Sequence, residues 1–175
     1  MPGATANQTI GPFWHVLEEQ DWADLTRFGA RGEVCELRGR ITDGEGALVT
    51  DACVEVWQSG PAPSDDFPGW GRCASDAQGQ FHIRTLFPAP EARNREQAPH
   101  FAIMIHARGL LKPLVTRAYL EGHPANERDP VLLGIDPARR PTLLARVLRA
   151  VGDEISIWHF EIRLQGEGET VFFEI

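Results

Sequence analysis

Six histidines, three cysteines and one tyrosine are the side chains of this sequence best suited to hold a metal or act as a nucleophile. His15, His82, His100, His106, His123 and His159 form neither an HExxH nor an H-x-H pair. His100 comes nearest, because it opens the apolar run 99–109. On a strand, residues two apart share a face, so an H-x-H would bring two imidazoles to one metal; here the second position is the methyl group of Ala102. For His82, His106 and His159, all on predicted strands, a hydrogen-bonded structural role is the simpler reading. Cys35, Cys53 and Cys73 are odd in number and widely spaced, which fits buried, reduced thiols better than a disulfide framework or a CxxC knuckle. Cys73 with His100 would be a nucleophile and base without supporting spacing. There is no GxSxG elbow, phosphate loop or dinucleotide fingerprint. At the far end of the same run, Arg108 could fork onto a bound carboxylate or close an internal salt bridge, and the sequence leaves both open.

The elements that must position these residues are strands. From Cys35 the pattern has period two, with Cys35, Leu37, Gly39 and Ile41 on one face and Glu36, Arg38, Arg40 and Thr42 on the other. Residues 43–46 are turn chemistry, and 47–58 resume as strand, with Val54 and Val56 opposite Cys53 and Trp57. Residues 59–71 are a long Pro, Gly, Ser and Asp loop, a candidate functional loop. Strands come next over 80–86, 99–109 and 114–120, with proline-broken loop at 87–97 and polar loop at 121–130. Asp136 before Pro137 predicts a capped helical turn. Residues 142–150 fit a helical face or a strand, Gly152-Asp153 reads as a hairpin turn, and 154–164 is again a strand. Short strands between regular turns predict an all-β, antiparallel β-sandwich with short helical turns. The N-terminal stretch 1–32 reads as an arm and loop, extended where Gly11-Pro12 adjoins Phe13 and Trp14. Those aromatics need cover, from this domain or from a partner chain.

The chain of 175 residues fits one domain, 1–175. Twenty-five acidic against 17 basic side chains give a net charge of −8, which argues against non-specific attachment to nucleic acid or an anionic membrane. Residues 1–15 hold no basic residue and no apolar core of a signal peptide, and no run is long enough to cross a bilayer, so a soluble cytoplasmic protein is expected.

Thr9-Ile-Gly-Pro-Phe13, Val54-Glu-Val-Trp-Gln58, Gly71-Arg72, Arg84-Thr85 ahead of a proline, Pro99-His100, Arg117-Ala-Tyr119 and Gln165-Gly-Glu-Gly-Glu-Thr170 occur in that order over nearly the whole chain. Together they resemble the intradiol ring-cleavage dioxygenases, and within them the iron-free alpha chains of heteromeric members. The resemblance implies a Greek-key β-sandwich, with 142–150 as strand. It also implies a non-haem Fe(III) held elsewhere, since the family's ligands are two tyrosines and two histidines. Here residues 59–67 contain no tyrosine, Glu91 stands where the second tyrosine is expected, and of the H-x-H only His100 survives, with Ala102 in the other place. The lone Tyr119 falls inside a predicted strand. The resemblance therefore implies a subunit that binds no metal and works beside a homologous iron-bearing beta subunit on protocatechuate and O2. Thr9, Gly11, Pro12 and Phe13 would border the shared substrate pocket, and Arg108 would face the substrate carboxylate. Phe13 stands where some relatives carry tyrosine. The competing expectation is a non-catalytic β-sandwich binding or structural module derived from the same scaffold.

Overall fold

Alternation of apolar and polar residues produces a strand wherever one face can be buried, and the first such segment forms β1 (Val34–Thr42), with Cys35, Leu37, Gly39 and Ile41 buried. The computed structural model describes residues 3, 5–11, 13–17, 20–90, 97–148 and 155–174. After β1 come β2 (Cys53–Trp57), β3 (Trp70–Ala74), β4 (Gln80–Leu86), β5 (His100–His106), β6 (Leu114–Leu120), β7 (Leu144–Leu148) and β8 (Ser156–Arg163). They hydrogen-bond in the order β3-β2-β5-β6-β7-β8-β1-β4. The ribbon folds on itself. Leu37, Ile41, Ile83, Phe160 and Ile162 from one half meet Val54, Val56, Phe101, Ile103 and Ile105 from the other in one core. A smaller cluster of Ala98, Tyr119, Leu132 and Leu143 lies beside it, with Phe173 packed against it.

The all-β expectation holds, with one correction: the sandwich is not wholly antiparallel. β6–β7 and β1–β8 run parallel. Parallel neighbours need long crossovers, and the β6–β7 crossover carries three helical turns. These are a 3-10 turn at Pro124–Glu127, the single α-helical turn α1 (Pro130–Leu133) and a 3-10 turn at Arg140–Leu143. Asp136 caps the turn that follows it, accepting from Ala138 N at 2.9 Å through its carboxylate, while α1 has its own cap in Asp129.

β3 lies partly within what the sequence presents as loop. Of the ambiguous stretch 142–150, Leu144–Leu148 is strand β7, residues 142–143 end a 3-10 turn, and 149–150 fall outside the described residues. The arm has no regular secondary structure over 5–11 and then makes 3-10 turns at Trp14–Leu17 and Gln20–Ala23. The turn expected at Gly152-Asp153 falls outside the described residues. The C-terminal stretch returns to β6: Phe173 N donates to Val115 O at 2.7 Å, and Thr116 Oγ1 donates to Val171 O at 2.8 Å. Among the described residues no helix is long and apolar enough to cross a membrane.

Candidate functional site

β5 carries a site at each of its ends. At its start, His100 pairs with Tyr119, while Ala102 lies between Trp57 of β2 and Arg117 of β6. These positions share the face turned away from the core. The 59–69 loop forms a rim over them, leaving a cleft of about 530 Å³ bordered by Trp57, Pro63, Pro68, His100, Ala102 and Arg117. Gln58 fixes the loop. Its side chain is buried, Nε2 donates to Gly60 O at 3.0 Å and Leu86 O at 2.7 Å, and Oε1 accepts from Thr85 Oγ1 at 2.8 Å.

The residues of this cleft do not fit a ferric centre of the tyrosine and histidine kind. The one tyrosine, Tyr119, is fully buried, donates its hydroxyl hydrogen to Asp129 Oδ1 at 3.2 Å and accepts from Arg117 Nη1 at 3.2 Å. Burial pushes its phenol well above the ordinary value, and the nearby Arg117 only partly opposes that, so it does not offer a phenolate. His100 Nδ1 is engaged with Ala98 O at 2.8 Å, and its ring lies 5.2 Å from that of Tyr119. Among the described residues no three His, Cys, Asp or Glu side chains converge as a metal site. Glu91 lies outside the described residues.

The nucleophile pairing also fails. Cys73 on β3 pairs with Val54, and Val54 with Ile105, so β2 and five residues of register separate it from His100. Burial, aided by the charges of Glu33 and Glu36, pushes the Cys35 thiol up to about 12, which keeps it neutral and inert. Three of the other histidines are occupied locally. His82 Nε2 lies 3.2 Å from Glu36, His159 Nε2 lies 2.6 Å from Glu161, and His123 Nδ1 accepts from Ala125 N at 3.2 Å.

At the other end of β5, roughly 25 Å along the strand at ~3.3 Å per residue, the arm meets the β5–β6 turn. Thr9 Oγ1 donates to Ala107 O at 3.2 Å and accepts from Gly109 N at 2.9 Å. Gly109 has φ +88°, the left-handed conformation that favours glycine in the turn after Arg108. Arg108 pairs through Nε with the Asp51 carboxylate, and the Asp51 carbonyl accepts from Trp14 Nε1 at 3.1 Å. The internal salt bridge is therefore present, yet the Arg108 side chain stays 61% exposed. Gly11 and Phe13 are exposed, Phe13 at 75%, and Pro12 lies outside the described residues. Thr9 and Arg108 thus share one corner, far from His100 and Ala102.

Three residues that shape the cleft escape a reading of the sequence: Gln58 as the loop's anchor, Arg117 as the cation and Asp129 as the buried acceptor. Asp129-Pro130 carries the same Asp-Pro signature as Asp136-Pro137. Arg117 is on the solvent-side parity of β6, but only the strand pairing sets it beside Ala102.

A dioxygenase family model (Dioxygenase) matches residues 11–166. The chain is 36% identical to the protocatechuate 3,4-dioxygenase alpha chain of Pseudomonas putida, over 97% of this chain and 96% of that one. It is 28% identical to the protocatechuate 3,4-dioxygenase beta chain of Burkholderia cepacia, over 93% of this chain and 76% of that one. In fold it resembles the dioxygenase domain of a dioxygenase carbohydrate-binding protein fusion from Streptomyces sp. SirexAA-E, with a TM-score of 0.62 over 81% of this chain and 86% of that one, at 23% identity. With the ordered motifs of the sequence and the β-sandwich they build, these likenesses agree: the chain belongs to the intradiol dioxygenase family.

Proposed function

We propose that this chain is the iron-free alpha subunit of a protocatechuate 3,4-dioxygenase. With a homologous beta subunit that holds the non-haem Fe(III), it forms the site at which O2 cleaves protocatechuate to 3-carboxy-cis,cis-muconate in aromatic catabolism. The observation that carries this reading is Tyr119: the chain's one tyrosine is buried and its hydroxyl is committed to Asp129 and Arg117, so both phenolate ligands must come from a partner. Thr9, Gly11, Pro12 and Phe13 supply a wall of the shared substrate pocket. Arg108 supplies a cation for the substrate carboxylate, and its exposure leaves it able to exchange Asp51 for that carboxylate. The scaffold is read as a single Greek-key domain over 1–175, in a heteromeric cytoplasmic enzyme.

Expression of the chain alone and together with the candidate beta subunit tests this, with bound iron and protocatechuate turnover as the measurements. The expected result is neither iron nor turnover alone, and both in the co-expressed complex. Stoichiometric iron with a tyrosinate absorption band in the lone chain would overturn it.

A further inference from the structure

We infer that the groove on the outer face of β7, β8 and β1 is a binding site for a small organic polyanion, one carrying two or three carboxylate or phosphate groups. It is separate from both ends of β5. The groove holds about 720 Å³, the size of a small-molecule pocket, and none of its described lining comes from the arm, the 59–69 loop or β5.

Strand register brings its cations together. Arg146 of β7 pairs with His159 of β8, while Arg40 and Thr42 of β1 pair with Glu161 and Arg163 of β8. Residues two apart on a strand share a face and neighbouring strands lie ~4.8 Å apart, so these side chains form one compact outward patch. Among the described residues, the charged groups lining the groove are three guanidinium groups, the single carboxylate of Glu161 and the imidazole of His159.

Glu161 is too little to neutralise them. It accepts from Arg40 Nε at 3.3 Å and Nη2 at 3.2 Å and lies 2.6 Å from His159 Nε2, so one carboxylate is shared by a guanidinium and an imidazole. Arg163 is held by neutral carbonyls: Nη2 donates to Gly44 O at 2.9 Å and Nε to Gln165 O at 3.2 Å. Arg146 lies 3.5 Å from Glu121, which stands outside the groove, and at 72% side-chain exposure that ion pair holds it weakly. The groove is therefore positive in a chain whose net charge is −8. Such a cleft concentrates small anions, while the acidic remainder of the surface repels long ones such as nucleic acid. Leu144 and Leu148 line the same groove, Leu148 at 46% exposure, and offer a ligand's carbon skeleton an apolar surface that inorganic phosphate cannot use.

The side chains named belong to this chain alone, so the site stands or falls independently of the partner-subunit reading. Citrate and fructose 1,6-bisphosphate, a tricarboxylate and a bisphosphate, are titrated into the full-length chain at fixed ionic strength with binding heat as the readout. Acetate serves as the monovalent control. At least one of the two polyanions should saturate one site per chain, at least about tenfold more tightly than acetate, and the tighter of them assigns carboxylate or phosphate. Arg40→Gln and Arg146→Gln should each weaken that binding by about tenfold. Both side chains are exposed, so neither change removes buried packing. Arg128→Gln removes the same charge at an exposed position outside the groove and should leave the affinity unchanged. No saturation in the millimolar range, acetate bound as tightly, or an equal loss in all three variants would each overturn the inference. In the co-expressed complex the site should persist; its disappearance there would mean that the partner subunit covers this face, and would overturn the inference as well.

Discussion

Asp129 is the most heavily used acceptor beside the cleft: Ala98 N, Val131 N and Leu132 N donate to it at 2.8, 2.9 and 2.8 Å, and the Tyr119 hydroxyl at 3.2 Å. It caps α1 and sets the start of β5 at once, so one buried carboxylate fixes the tyrosine that in turn orients Arg117. A cap is a local signal and is legible as Asp-Pro; the convergence of four donors on it is not, because Ala98 lies 31 residues away. The shortage of tyrosine is legible from counting alone, since the sequence holds one, Tyr119. On the outer face, Glu36 accepts from Arg38 Nη2 at 2.6 Å and lies 3.2 Å from His82. Partial burial raises its pKa, but the Arg38 hydrogen bond and the charges of His82 and Arg38 outweigh it and hold the carboxyl below its ordinary 4.5. A folded value below the unfolded one means the native state favours the charged form. The resulting stability is therefore present above pH 4.5 and lost as pH falls through the folded value. Denaturant melts of wild type and Glu36→Gln should show the wild-type advantage at neutral pH shrinking below pH 4.5; an advantage that stays constant into acid would remove Glu36 as its source.

At the scale of elements, period-two patterning locates β1, β4, β6 and β8, because each buries one face and the alternation records it, while β5 shows as a continuous apolar run. β3 escapes: Trp70-Gly-Arg-Cys-Ala74 is short and carries glycine and arginine, and it is a strand because β2 offers an edge. β7 is ambiguous for a related reason, since Leu143, Leu144, Val147 and Leu148 satisfy two periods and only the pairing with β6 and β8 chooses. In β1, Gly39 sits on the inward face opposite Phe81 and Phe160. A Cβ there would run into the Phe160 carbonyl and the Phe81 ring, so glycine is required by close approach and not by a turn. Gly39→Ala should lower stability by roughly 1–3 kcal/mol through overpacking. An unchanged urea midpoint would show that Phe81 can move aside.

Across the whole molecule, strand content is legible in the sequence, whereas the order of the ribbon is not. The parallel pairings β1–β8 and β6–β7 join segments with no local relation, so no window of sequence contains them. The same limit applies to the two ends of β5: Thr9 meets Gly109 across 100 residues, which places the arm and Arg108 in one corner. If that corner borders the partner's site, Arg108→Ala in the assembled enzyme should reduce kcat/KM for protocatechuate by at least about tenfold, the loss expected for a charge-assisted bond. Unchanged kinetics would take Arg108 out of the pocket.

Both ends of the described chain are fastened to one hairpin. Thr9 clasps the turn between β5 and β6, and Phe173 adds a bridge to β6 at Val115. The contacts within that hairpin are local, whereas Thr9 reaches Gly109 across 100 residues, so closing the arm onto the turn costs more loop entropy than closing the hairpin itself. The segment that supplies His100, Ala102, Arg117 and Arg108 is therefore held from both termini as well as by its neighbours in the sheet. Loosening at either terminus reaches both of its sites without passing through the core.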